Sequence, residues 1–234
     1  MLEENAEWLV VGKPAPLIMH PTGKSDEVTL LGVLKRAMPG EEFFFVNRLD
    51  RETSGCVLVA KSGKVARRLG KMMGRREIEK GYEAIVRGWP DWDEVTVKGG
   101  LRRKGEFTES AIWVRQAVQA EGKESETGFV VKRRFENEKG RFCVVDCRPR
   151  TGRTHQIRVH LEFAGFPMVG DKIYGGDEAA YLDFLRDGWT PELQERLILD
   201  RQALHASWMK FMWDGEVVEV RSALAGDMVR FCVA

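Results

Sequence analysis

Cysteine is scarce in these 234 residues: Cys56, Cys143, Cys147 and Cys232 are the whole set, and no two stand in a CxxC spacing. That argues against a disulfide framework or a zinc site and for reduced thiols in the interior. No apolar run approaches the roughly 18 residues that a membrane helix needs. The first residues, MLEENAEWLVVGKP, are acidic before they are apolar, the reverse of a secretory signal. A cytoplasmic chain with no membrane partner is expected. Neither sign of charge is in excess, since 37 Lys and Arg face 36 Asp and Glu. Bulk charge therefore announces no polyanionic partner. Familiar catalytic spacings are missing too: there is no GxSxG, no HExxH and no GxxxxGK[ST]. His155 and His160 are five apart, which does not set them on one helix face for a metal.

What is present is the composition of a soluble globular chain, 43% hydrophobic and 31% charged, long enough to bury a real core. No repeat and no linker is visible, so residues 1–234 are expected to form a single domain. The near-neutral total hides two opposed patches. KSGKVARRLGKMMGRR, residues 61–76, holds seven Lys or Arg and no acid, whereas residues 177–200 are mostly acidic.

Hydrophobic periodicity outlines the elements. WLVVGKP (8–14) and CVLVAKS (56–62) read as strands, the second of the fully buried kind. PAPLIMHPTG (14–23) reads as a loop or short edge strand, and VTLLGVLKRAM (28–38) as a helix. Ser62 can cap a helix through the basic stretch, with Val65, Leu69 and Met72 or Met73 on one face. YEAIVRG (82–88) reads as a strand, and 91–126 as hairpins with a long exposed loop. FVVKRRFE (129–136) and RFCVVDCRPR (141–150) read as paired strands. THQIRVHLEFAG (154–165) places Ile157, Leu161 and Ala164 at helical spacing, with Gly165 as its stop. Two short helices are expected in the acidic insert, and ALHASWMKFMW and VVEVRSAL close the chain as strands. The class is α+β, with a mixed, largely antiparallel central sheet flanked by helices and loops.

Three stretches could carry chemistry. In NRLDRETSG (47–55), Asp50 lies between Arg48 and Arg51 at the mouth of a buried strand. Nearby arginines keep a carboxylate anionic, and a partly buried one needs a firm partner. Alternate residues of an extended chain face opposite ways, so that partner can come from a distant stretch. In isolation, an Arg-Asp-Arg-Glu surface cluster worth little is the better reading. Tyr82, read alone, is a core tyrosine whose hydroxyl reaches the rim. RPRTGRTHQIRVH carries Arg148, Arg150, Arg153 and Arg158 around a helix start, an arrangement that suits phosphate or forms a basic rim without a ligand.

Taken together, these stretches resemble the RluA-type pseudouridine synthases. NRLDRETSG is similar to the HRLDxxTSG signature, VVGKPAPLIMHP to NKPxGlxvHp, and EKGYEAIVRG to KxYxAxVxG. RTGRTHQIRVHL resembles xTGRxHQIRxHL, MVGDKIYGG resembles xxGDxxYG, and LHASWMKF resembles LHAxxLxF. The six occur in family order from residue 8 to about residue 220. Asn47 stands where the family has His, and Ala15-Pro16 where it has Pro-Gly or Ala-Gly; neither position carries the nucleophile. The resemblance implies a pseudouridine synthase catalytic fold that lacks the small N-terminal RNA-binding module of many relatives. It implies conversion of a specific uridine in ribosomal or transfer RNA to pseudouridine, with no metal or organic cofactor. Asp50 would be the nucleophile, at the sugar or at the base. Tyr82 would stack on the base and serve as general base, and Arg158 would pair with the aspartate, with Arg153 the second choice. Arg48 would fill the gap left by the flipped uridine. Arg51, Arg67, Arg68, Lys71, Arg153 and His155 would contact RNA, expected to be a shaped stem-loop bound by a monomer.

Two other classes compete with this reading. A non-catalytic RNA-binding protein of the same fold would function without Asp50. A hydrolase using Asp50 with His155 or His20 would release uracil or cut the backbone, but no oxyanion-type glycine motif supports it.

Overall fold

The computed structural model describes residues 1–21, 28–176 and 178–233. The loop expected over 14–23 passes outside them at residue 22, and residue 177 of the acidic insert lies outside them as well. The chain divides into two compact units, Met1–Gly81 with His205–Gly226, and Tyr82–Leu204 with Asp227–Ala234.

The first unit is built on β4 (Ser54–Ala60), whose seven residues are all buried, as the unbroken apolar run predicts. β2 (Trp8–Lys13) pairs with it antiparallel, from Trp8 opposite Ala60 to Lys13 opposite Gly55. The short β1 (Glu3–Glu4) adds to β2, and β3 (Phe44–Phe45) adds to β4. β10 (Leu204–Trp213) runs parallel to β4 through His205 opposite Ser54 and Ala206 opposite Gly55. It then turns at Asp214-Gly215, both at positive φ, into β11 (Glu216–Arg221). Two positive-φ residues give the turn type that matches strand twist in a two-residue hairpin. Gly55 is required by close packing: a Cβ there would stand 2.2 Å from the carbonyl oxygen of Ala206. Helix α1 (Leu30–Ala37) starts at Thr29, whose side chain accepts from the Gly32 amide. Helix α2 (Gly63–Gly74) starts at Ser62, which accepts from the Val65 amide, and it buries Val65 and Leu69.

The second unit holds an antiparallel meander. β5 (Glu79–Arg87) continues into it from the first unit and pairs with β9 (Gly140–Pro149); β9 pairs with β8 (Lys123–Asn137), β8 with β6 (Glu94–Arg103), and β6 with β7 (Gln116–Val118). The long loop expected in 91–126 is the stretch between β6 and β7, which opens with a 3-10 turn at Lys104–Glu106. Helix α3 (Gln156–Phe163) packs on β7, β8 and β9. Helices α4 (Ala179–Asp187) and α5 (Pro191–Leu197) are the two expected in the acidic insert, joined through Ala180, Leu193 and Leu197. With β4 and β10 parallel and the other registered pairs antiparallel, the fold is α+β with mixed, largely antiparallel sheet.

The chain does not close on a strand. Helix α6 (Gly226–Val233) follows β11 and lays Phe231 against Phe142, with ring centroids 4.9 Å apart. Eight residues with two buried apolar side chains, Met228 and Phe231, give too little periodicity to be read in advance. The helix is anchored instead by a tertiary contact, the fork of Arg201 on Asp227.

Candidate active site

Asp50 lies in the first unit, half-buried, at the first position of a turn in which its carbonyl accepts from the Thr53 amide at 3.1 Å. Turns favour Asp there for local reasons alone. What surrounds the turn is more than local. Leu49 is buried while Arg48 and Arg51 are exposed, so the arginines beside the carboxylate lie toward solvent. The buried ammonium of Lys13 donates to the carbonyls of Leu17 at 2.7 Å, Pro14 at 3.1 Å and Arg51 at 3.1 Å. The Arg51 carbonyl also accepts from the Leu17 amide at 2.9 Å. The Arg51–Glu52 peptide of this turn is thus held by two donors, one at the end of β2 and one in the loop that follows it.

Asn47, which replaces the family histidine, is buried and spans β4: its side chain accepts from the Leu58 amide at 2.8 Å and donates to the Cys56 carbonyl at 3.3 Å. On the far side of the turn, Ser54 Oγ is 2.8 Å from His205 Nδ1, and His205 Nε2 faces the Ser222 carbonyl at 3.3 Å. An Nε2–H donor leaves Nδ1 to accept from the serine, so both nitrogens are satisfied. Cys56, at the start of the apolar run of β4, is buried, and burial pushes its thiol up to about 11, which favours the protonated form at neutral pH.

Tyr82 and Arg158 lie in the second unit. Tyr82 is buried on β5 opposite Cys147. Arg158 sits on α3, where every residue from Gln156 to Leu161 is buried. It is therefore not part of a solvated basic rim. Its guanidinium forks onto Asp171, Nε to Oδ2 at 2.6 Å and Nη2 to Oδ1 at 2.8 Å. Asp171 Oδ1 also accepts the amides of Ile173 and Tyr174 at 2.9 and 3.0 Å. Burial alone would raise the Asp171 carboxyl, but the Arg158 charge and these hydrogen bonds outweigh it and hold it below the usual carboxylate range. Gly170 delivers Asp171 to this position: it sits at φ +74°, and a Cβ there would stand 1.9 Å from the Arg201 carbonyl oxygen.

Around the fork lies a second polar layer. His155 adopts a left-handed conformation (φ 57°) at the start of α3, with Nδ1 2.9 Å from the hydroxyl of the buried Tyr174. That hydroxyl accepts from the Gln116 amide at 2.8 Å, so its own proton goes to His155. Arg153 is exposed and donates from Nε to the Glu124 carbonyl at 3.1 Å. Gln156 gathers the TGR loop, its Oε1 accepting from Thr151 Oγ1 at 2.6 Å and from the Arg153 amide at 3.0 Å.

Beneath α3, a chain of hydrogen bonds assigns each proton. Gln156 Nε2 donates to Thr127 Oγ1 at 2.9 Å, and that hydroxyl lies 2.9 Å from His160 Nδ1. His160 Nε2 lies 2.9 Å from Ser125 Oγ, which donates to the Gly99 carbonyl at 2.7 Å. Only a neutral imidazole with its proton on Nε2 fits this order. Burial accordingly lowers the His160 pKa from 6.5 to about 4. The unfolded chain takes up this proton before the folded one, so stability is full above pH 6.5 and falls as pH drops toward 4. Unfolding by urea across that window is expected to show a loss of about 3 kcal/mol in wild type that is missing from His160→Gln. Equal pH dependence in the two proteins would contradict the assignment.

Sequence reasoning named Asp50, Tyr82 and Arg158 but not Lys13, Asn47, Gln156, Asp171, Tyr174 and His205, which hold the surrounding backbone. All six fall inside the recognised stretches, which is the signal that could have found them. Among the described residues no cluster of three or more His, Cys, Asp or Glu is placed to hold a metal ion. No helix among them is long and apolar enough to cross a membrane.

The fold and the stretches that carry these residues are those of the RNA pseudouridylate synthases. The chain belongs to that family, in its RluA-type branch, and the family model described as RNA pseudouridylate synthase matches residues 7–163. It is 34% identical over 238 residues to the ribosomal large subunit pseudouridine synthase D of Vibrio cholerae, covering 99% of this chain and 69% of that one. It is 37% identical over 205 residues to the Homo sapiens protein named Pseudouridylate synthase RPUSD2, covering 88% of this chain but 36% of that one. The solved structure of human RNA Pseudouridylate Synthase Domain Containing 1 superposes with a TM-score of 0.72 at 27% identity, covering 94% of this chain and 81% of that one. Enzymes of this family are isomerases that convert uridine in RNA to pseudouridine.

Proposed function

We propose that this protein isomerises a specific uridine within a structured ribosomal or transfer RNA stem-loop, with residues 1–234 acting as one catalytic domain, as a cytoplasmic monomer without metal or organic cofactor. Asp50 is the nucleophile. The bond from ribose carbon 1′ to N1 breaks, the base turns, and carbon 5 bonds to carbon 1′. Carbon 5 gives up its proton and N1 takes one. Tyr82 stacks on the base and accepts the carbon 5 proton. Arg158 pairs with Asp50 and keeps it ionised, its guanidinium oriented by Asp171. Arg48 fills the gap left by the flipped nucleotide, and Arg51, Arg153 and His155 contact RNA. The observation that supports this reading is the setting of Asp50 within the family signature: Lys13 holds the Arg51 carbonyl, Ser54 bonds His205, and Asn47 bridges two backbone groups of β4. Rigid first-neighbour support of this kind is what positional catalysis needs.

The test is carbodiimide mapping of pseudouridine in total RNA from cells with and without the gene. A uridine that loses its mark, and regains it only on complementation by wild type, is the expected result. Release of free uracil or backbone cleavage by the purified protein would replace this reading with the hydrolase.

A further inference from the structure

Helix α2 carries its charges in a row. Lys64, Arg68, Lys71 and Arg75 recur at spacings of four, three and four on one face, with Arg67 beside them, while Val65 and Leu69 are buried on the other. From Lys64 to Arg75 the row is about 16 Å long. It forms the wall of an open groove of about 550 Å³ whose remaining lining residues are Met72, Glu77 and Met212 of β10. Glu77, the single carboxylate among them, faces Arg75 at 3.8 Å. Arg68 is fixed: its guanidinium lies 3.8 Å over the Trp213 ring and bonds Asp214 at 2.8 Å. Lys64, Arg67 and Lys71 are exposed. Among the described residues, none of these three has a carboxylate partner.

We propose that this groove is a track for the ribose-phosphate backbone of the substrate RNA outside the target nucleotide, an assignment that rests on the RNA-modifying function above. Lys64, Arg67 and Lys71 take phosphates. Arg68, partly neutralised by Asp214 and stacked on Trp213, is the fixed wall that sets the groove's shape. A small anion would meet one or two of these cations, whereas a polyanionic strand meets the whole row. Contacts of this kind set affinity and register rather than sequence preference.

The experiment uses the full chain and a fluorescein-labelled RNA hairpin, titrated from 50 to 200 mM salt. The triple variant Lys64→Ala, Arg67→Ala, Lys71→Ala is compared with wild type. A control, Lys132→Ala, Lys139→Ala, Arg141→Ala, makes the same change in net charge on the exposed β8–β9 hairpin. The groove variant is expected to bind roughly 10- to 100-fold more weakly at 50 mM salt, with the log–log salt slope shallower by about 2 to 3. The control is expected to move either quantity far less. Equal effects of the two variants, or none from the groove variant at an unchanged melting temperature, would overturn the track. Displacement of the hairpin by sub-millimolar inorganic phosphate at constant ionic strength would overturn it in favour of a small-anion site. Pseudouridine formation by wild type is assayed separately, so loss of the enzymatic reading and loss of the track give different results.

Discussion

Asp50→Ala is expected to abolish pseudouridine formation, lowering the single-turnover rate on a bound RNA by about 10⁴-fold or more, as removal of a nucleophile does elsewhere. The fold should survive. The turn is held through backbone groups, by the Asp50 carbonyl on the Thr53 amide and by the Lys13 ammonium and Leu17 amide on the Arg51 carbonyl. None of these needs the Asp50 side chain. Thermal unfolding should therefore change by no more than about 1 kcal/mol, and RNA affinity by a few-fold. A variant that retained a tenth of the wild-type rate would remove Asp50 from the chemistry. It would favour the reading of Asp50 as an ordinary turn residue.

Asp171→Asn should produce the second large effect, through a different route. The carboxylate and the Arg158 guanidinium are both buried and bound at 2.6 and 2.8 Å. Removing one charge of a buried, hydrogen-bonded pair is expected to destabilise by about 3–5 kcal/mol. The folded-state pKa of Asp171 lies below its unfolded value. The wild-type contribution is therefore complete at neutral pH and disappears as pH falls through that lowered pKa. At temperatures where the variant remains folded, the displaced guanidinium should lower kcat by about 10²-fold, with RNA affinity within twofold. Arg158→Met combined with Asp171→Leu separates stability from function. Replacing the whole pair with apolar side chains should recover most of the stability and none of the turnover. Recovery of turnover in that double variant would make the fork purely structural.

Legibility from sequence followed the range of the interaction. Features written within one turn or one strand were readable. The apolar run of β4, the Ser62 cap of α2 with Val65 and Leu69 beneath it, and the Gly165 stop of α3 all follow from local period and conformational preference. Features that depend on a distant chain were not. Nothing in the spacing of Arg158 and Asp171 says that they form a fork. Gly55 closes the NRLDRETSG stretch, but the neighbour that excludes a side chain there is the backbone of β10, distant in sequence. Asn47 is unremarkable beside Arg48 until its amide is seen bridging two backbone groups of β4. Helix α6 escaped because tertiary packing, not periodicity, stabilises eight residues. For the candidate site the motifs supplied the names of the candidate reacting groups. The structure supplied the residues that hold their backbone in place.

Pseudouridine formation moves the glycosidic bond of a uridine from N1 to carbon 5, and that exchange expels the hydrogen from carbon 5. The most direct test is to incubate the purified full chain with cellular ribosomal and transfer RNA labelled with tritium at carbon 5 of uridine and to count tritium in the water. The account predicts release that rises to a plateau at one or a few equivalents per RNA molecule, with no free uracil and no strand cleavage. Tight RNA binding with no tritium released from any of these RNAs would contradict it and leave a binding protein on an enzyme's fold.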